Sequence, residues 1–375
     1  MEFKFASLST LLLTGLAFAE TSCPTLDQMT QCNLKGEWQP RNLSASVDCG
    51  PTIDGSFLYW NAKVDGYDFA SEAKISGMFD EMGPTFLNAQ LQPQTLDFDT
   101  WDPGFQVGLG YIFEGREQWH TRLSWTRFDT SNSKSMKATF SLANYFIPIL
   151  IPSLIGPTAD KVSAHWDLDF DVVDLELGRH FFVGKWLSLY PKLGLRAAWI
   201  GQDFNVDYHA IYPTNASLIF TFDHEFGADQ HFKGIGLKCG SDIQFHLTKS
   251  FSILGNLSGS ILSGKQHITE NLNGVIFTTP STFFPENVEL KNSDDVIRTN
   301  LEGNIGLQYQ AFFRDDQYRL GLSGLYSFAY WFTQNQLSNE NLSNNDNIGF
   351  PFITMNSDGG DLQLQGLTVQ LELDF

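Results

Sequence analysis

"QGLTVQLELDF", residues 365–375, alternates without a break: Leu367, Val369, Leu371, Leu373 and Phe375 lie on one side of an extended chain, and Thr368, Gln370, Glu372 and Asp374 on the other. A period of two marks a strand with one apolar and one polar face. The period leaves open which medium each face meets. In a soluble sandwich the apolar row enters a core; in a membrane barrel it meets lipid, and the polar row lines the lumen.

Connection lengths separate the two. Ten strand-like segments are read at about 55–69, 105–113, 119–129, 163–182, 186–206, 232–247, 251–264, 296–313, 318–333 and 361–375. Four connections are tight, namely "EGREQ", "VGK", "TKS" and "RDDQ". They alternate strictly with five long ones. Short turns on one rim and long loops on the other, with an even strand number, describe an up-and-down transmembrane antiparallel β-barrel. Soluble Greek-key sandwiches lack this rhythm. The fold expected is all-β, with ten strands, or twelve if a further hairpin lies within 71–100. The short turns and both termini are then periplasmic, and the long loops extracellular.

In the first strand, "GSFLYWNAKVDGYDFA" at 55–70, the lipid row is read as Leu58, Trp60, Ala62 and Val64, with Tyr59, Asn61, Lys63 and Asp65 looking inward. That register turns Phe57 toward the lumen, which is its weak point. Trp60, Trp119, Trp186 and Trp331 suit girdles at the membrane interfaces.

The chain ends agree with export. Residues 1–19 carry Lys4, an apolar run at Leu11, Leu12 and Leu13, and small residues at Ala17 and Ala19, which reads as a signal peptide. Residues 20–54 are then a periplasmic segment holding Cys23, Cys32 and Cys49, and residues 55–375 the barrel. An oxidising compartment permits one disulfide among those three cysteines, with the pairing open. Cys239 reads as a buried, inert thiol. The final strand, closing on Leu371, Leu373 and Phe375, resembles the signal recognised by the bacterial outer-membrane assembly machinery.

Composition narrows the function. Lys+Arg 23 against Asp+Glu 43 gives a net charge of −20, which repels nucleic acid. Mean hydropathy is −0.16, and no run of about 18 apolar residues follows the signal, so no helical span is expected.

Several blocks in series resemble a known family: "GSFLYWNAKVDGYDFA", "WDPGFQVGLGYIF", "WHTRLSWTRFDT", "VVDLELGRHFFVGKWLSLYPKLGLRAAWIGQDFNVDY", "FKGIGLKCGSDIQFHL", "YWFTQNQL" and "GDLQLQGLTVQLELDF". Together they are similar to the Legionella-type pore-forming major outer membrane proteins, also found in chlamydia-like bacteria. The resemblance implies an outer-membrane porin and supplies no catalytic residues.

If the apolar rows face lipid, the lumen is lined by Lys63, Asp65, Arg122, Lys192, Arg196, Lys238, Asp242, Glu302, Gln308 and Arg319. Such a lumen either sorts hydrated ions or closes into a polar network, and ten strands lie nearer the filled size. The function expected is passive diffusion of small hydrophilic solutes or ions, with cations favoured by the net charge. The rival is a closed surface barrel acting as an adhesin or structural protein.

In "HWDLDFDVVDLELGR", at 165–179, Asp167, Asp169 and Asp171 share a face beneath His165, but the apolar row changes phase after Val172, which reads as a β-bulge rather than a metal site. Asp207 and His209 offer a remote hydrolase reading, with no nucleophile spacing beside them. The apolar stretch "YFIPILIPSLIGP", at 145–157, is too short and proline-broken to span a bilayer. It is read as a constriction in the mouth, as packing for neighbouring loops, or as a contact with another protomer. No enzyme activity, cofactor or metal is expected. The partners expected are outer-membrane lipid and lipopolysaccharide, the assembly machinery, and other copies of the chain.

Overall fold

The computed structural model describes residues 50–375, apart from 77–78, 81–82, 85–87, 114–118, 139–143, 151–158, 184–185, 216–217, 279–281, 314–317 and 345–350. The signal peptide and Cys23, Cys32 and Cys49 lie outside the described residues. Ten long strands form the wall: β1 (Gly50–Val64), β2 (Asp102–Ile112), β3 (Trp119–Lys137), β4 (Lys161–Arg179), β5 (Leu187–Asn215), β6 (Leu218–His246), β7 (Phe251–Thr278), β8 (Thr282–Phe313), β9 (Tyr318–Asn344) and β10 (Pro351–Asp374). Each pairs antiparallel with its sequence neighbours, and β1 pairs with both β2 and β10, so the barrel closes. A short strand, Phe181–Val183, adds to the start of β5.

Side-chain chemistry divides the wall into two storeys. In β4 the inward row reads Val162, Ala164, Trp166, Leu168, Phe170 and Val172, then Asp174 and Glu176, all buried. The outward row reads Lys161, Ser163, His165, Asp167, Asp169 and Asp171, then Val173, Leu175 and Leu177. Both rows exchange character at the same height. Below that height the outside is apolar and the inside ionic, as lipid demands; above it the outside is polar and the inside apolar, as water demands. The outward apolar row of β5 runs from Leu187 to Trp199, and at about 3.3 Å per residue and about 40° of tilt it spans roughly 30 Å, a bilayer core.

The phase change after Val172 is therefore no bulge. β4 pairs with β3 and with β5 in unbroken register throughout. The medium outside changes while the strand continues. The first strand is corrected for the same reason: Phe57 is 53% exposed and Leu58 only 2%, so the assigned register was off by one. Leu58, Ala62 and Val64 belong to the apolar filling of the upper storey, and Lys63 and Asp65 point out of the wall at its upper rim. Asn61, also read as inward, is covered by the segment after residue 94, donating to the carbonyls of Phe98 and Thr100 at 2.7 Å each.

Trp119 and Trp186 do face outward at the lower rim, whereas Trp331 is wholly buried and Trp60 packs inward against Phe128. The outward aromatics of the upper boundary are Tyr59, Trp101, Phe105, Trp125, Trp199 and Phe328. Cys239 also points outward and is exposed, not buried.

Three of the expected long loops are strand extensions. β5 and β6 each run for 29 residues and are joined at 216–217, far beyond the 9–11 residues a crossing needs. The hairpin sought within 71–100 exists as Ala70–Ser76 and Asn88–Gln94, outside the barrel wall. With Asn144–Pro148 it forms a separate three-stranded sheet. That sheet places Phe146 and Leu150 of the apolar stretch in the same core as Trp166, Phe204 and Tyr208. Tyr67 joins them, stacked on Phe204 with ring centroids 4.3 Å apart.

Candidate functional site

The site is the ionic lower interior. It starts from the alternation itself: each strand that faces lipid with one row must face the barrel axis with the other, and here that row is charged. Ionic side chains held away from water persist only when paired and hydrogen-bonded.

Arg196 on β5 lies directly opposite Asp174 on β4 and holds it through two hydrogen bonds, Nε to Oδ1 at 2.7 Å and Nη2 to Oδ2 at 2.6 Å. Its Nη2 also donates to Glu302 Oε2 on β8 at 2.9 Å, across the barrel. Lys238 on β6 bridges the same group, its Nζ 2.7 Å from Asp174 Oδ2 and 2.8 Å from Glu176 Oε1. Lys192 continues it from Glu176, at 3.3 Å, to Asp242, at 3.1 Å. Four strands, β4, β5, β6 and β8, thereby share one network.

Two further clusters lie against the neighbouring wall. Arg122 on β3 grips Asp54 on β1 through Nε at 2.8 Å and Nη2 at 2.6 Å. Arg319 on β9 bonds Glu372, at 2.6 Å, and Asp374 on β10. Gly108 leaves room for Asp54: a Cβ there would lie 2.3 Å from Asp54 Oδ1. Gln308 accepts hydrogen bonds from Gln244 at 2.8 Å and Gln310 at 2.7 Å.

Of the residues expected to line the lumen, Arg122, Lys192, Arg196, Lys238, Asp242, Glu302, Gln308 and Arg319 sit on the inward face at this depth. Lys63 and Asp65 do not. Sequence reading missed Asp54, placed in the periplasmic segment, and Asp174 and Glu176, hidden by the bulge interpretation. The available signal was the carboxylate pair two residues apart, interleaved with Val173, Leu175 and Leu177.

Between the ionic layer and the apolar filling lies a cavity of about 120 Å³, lined by Ser56, Thr126, Asp174, Arg196 and Asn256 below and by Trp60 and Phe170 above. Such a space is polar enough to hold several waters. Trp331 joins the two storeys, its ring centroid 5.9 Å from the Arg196 guanidinium and 5.7 Å from that of Phe170 in an edge-to-face contact.

The other candidates fall outside the barrel. Asp167, Asp169 and Asp171 face outward above the apolar band; Asp171 accepts from Trp125 Nε1 and Arg127 Nη1, both at 2.9 Å, and Asp167 lies 2.9 Å from His165. Asp207 and His209 also face outward, and His209 pairs with Asp223 on β6.

The chain matches the model of the Legionella pneumophila major outer membrane protein precursor family over residues 50–375. No curated protein matches it. Among solved structures it is similar to the outer membrane protease OmpT from Escherichia coli, with 10% identity, 90% of this chain and 100% of that one covered, and a TM-score of 0.36. It is also similar to the toluene transporter TodX from Pseudomonas putida, with 9% identity, 90% and 92% covered, and a TM-score of 0.28. A Pseudomonas aeruginosa FadL homologue gives 8% identity, 87% and 90% covered, and a TM-score of 0.23. The lipid-facing band and the family match place the barrel in the bacterial outer membrane, and the chain belongs to the Legionella major outer membrane protein family.

Proposed function

We propose that the protein is a porin, passing small hydrophilic ions by passive diffusion through its ionic interior. The carrying observation is that the inward face at bilayer depth is charged on eight strands, where a purely structural barrel could fill itself with apolar side chains. A cation prefers this interior. Its ion pairs engage seven carboxylates, Asp54, Asp174, Glu176, Asp242, Glu302, Glu372 and Asp374, against the five cations Arg122, Lys192, Arg196, Lys238 and Arg319. Conduction requires these pairs to exchange partners as an ion passes.

The second reading, a closed surface barrel, is favoured by the same pairs at rest and by the apolar filling above them. Planar-bilayer recording of the refolded protein separates the two. Discrete steps with a cation-selective reversal potential support the pore. Silence from folded protein overturns it and leaves the closed barrel, for which host-cell binding lost on shortening 131–160 or 334–359 is the corresponding test. No catalytic role is proposed, because Asp207 and His209 stand on the outer wall and His209 is paired with Asp223.

A further inference from the structure

The outer surface of β6, β7 and β8 departs from the rest of the upper boundary. Elsewhere the upper edge of the apolar band carries aromatics such as Tyr59, Trp125 and Trp199. Here it carries two lysines. Lys233 on β6 lies directly opposite Lys265 on β7, both exposed, with Trp199 opposite Lys233 on the other side. The row above repeats the arrangement with His231 opposite His267. Like charges directly opposed on a sheet repel. In a chain of net charge −20, a carboxylate partner for each would be the simplest relief. Among the described residues, however, neither ammonium has a carboxylate within 4.0 Å. Asp295 of β8 is opposite Lys265 in register but makes no ion pair with it, and Asp229 is engaged by His231 at 3.0 Å.

Directly beneath the lysines the wall is smooth and aliphatic. Ile235, Leu237, Ile261 and Ile297 are 61%, 63%, 61% and 68% exposed, among the most outward-standing apolar side chains of the barrel. Ser263 sits between Ile235 and Ile297 in the row next to the lysines, adding a hydroxyl to the same patch. Two ammonium groups and a hydroxyl at the bilayer edge, over a flat aliphatic strip, fit an anion carried on saturated acyl chains.

We propose that Lys233 and Lys265 bind a phosphate of an outer-leaflet phosphorylated glycolipid whose acyl chains lie along Ile235, Leu237, Ile261 and Ile297. The anion neutralises the opposed ammonium pair, and the lipid covers a strip without aromatic anchors. This rests on the outer-membrane placement of the barrel and is independent of the pore reading.

The test uses native mass spectrometry of the refolded full barrel in neutral detergent, titrated with bis-phosphorylated lipid A, dephosphorylated lipid A or inorganic phosphate. The phosphorylated lipid should bind at least about tenfold more tightly than the dephosphorylated one, and K233Q/K265Q should abolish that difference. K233R/K265R should keep it, as should K249Q, which alters a lysine in the periplasmic turn. Without lipid, K233Q/K265Q should be no less thermostable than wild type, since it removes a repulsion. Equal binding of the two lipids, or an undiminished preference in K233Q/K265Q, overturns the proposal. Inorganic phosphate displacing the lipid completely at equal concentration overturns the lipid as the source. Conductance should be the same in wild type and in K233Q/K265Q, so failure here and failure of the pore are read separately.

Discussion

Arg196 and Asp174 face each other across the β4–β5 pairing and are joined through two hydrogen bonds of 2.7 and 2.6 Å, one to each carboxylate oxygen. The arrangement is bidentate, and Arg196 also holds Glu302 on the far side of the barrel.

Arg196→Met should therefore cost about 3–5 kcal/mol, because Asp174 and Glu302 are left buried with only Lys238 between them. The triple change Arg196→Met, Asp174→Asn, Glu302→Gln should recover most of it, since no unpaired charge remains. Urea midpoints in detergent, read by the heat-shifted mobility of the folded barrel, measure both. Equal losses in the single and triple variants would show that packing, not charge, sets the cost.

The exchange of character between Asp171 and Val173 predicts where lipid ends. Leu175→Arg places a charge in the outward apolar row and should cost about 2–4 kcal/mol. Ser163→Arg, on the same face but above the band, should stay within about 0.5 kcal/mol. Comparable costs at the two positions would move the boundary upward along β4.

These two storeys explain how much of the molecule could be read from the chain. The closing stretch 365–375 was legible because all of it lies at bilayer depth: Leu367, Val369, Leu371, Leu373 and Phe375 face lipid as their alternation implied. The strand number was legible because chain reversal needs only local chemistry; of the four tight connections, 248–250 is described, and 114–118, 184–185 and 314–317 lie outside the described residues. β1 and β4 were misread because each crosses the boundary, where the inward row turns from Asp54 and Ser56 to Leu58 and Ala62, or from Asp174 to Val172. A rule that sends every apolar row to lipid fails at that height. Partners such as Asp174 and Glu302, far apart in sequence, meet only through barrel closure, and no local pattern encodes that.

Above the boundary, Asp203 on β5 lies between Asp167 on β4 and Asp229 on β6, three outward carboxylates in one row. Partial burial, and then the Asp229 charge, raise the Asp203 pKa above its ordinary value. The folded state thus holds this proton more tightly than the unfolded chain. Stability from Asp203 is full below its ordinary range and is lost as pH rises through the raised value. Asp203→Asn should raise the midpoint at pH 7 by roughly 1–2 °C, with the gain fading on acidification. Thermal scans from pH 3 to 7 check the slope; a gain that grows toward low pH would reverse the sign.

Trp331 is the side chain on which the pore reading turns. It is wholly buried, meets Phe170 edge-on above and stands 5.9 Å from the Arg196 guanidinium below, so it seals the ionic layer from the apolar filling. Trp331→Ala removes that seal and should cost about 3–5 kcal/mol through the cavity it leaves. If ions cross along the barrel axis, the cavity beside Arg196 should become continuous with the space vacated by the indole, and single-channel conductance should rise. Trp331→Phe keeps most of the volume and should change conductance little. Recording both variants beside wild type distinguishes loosening from opening. Destabilisation without any gain in conductance in Trp331→Ala would place the ion path elsewhere or remove it altogether.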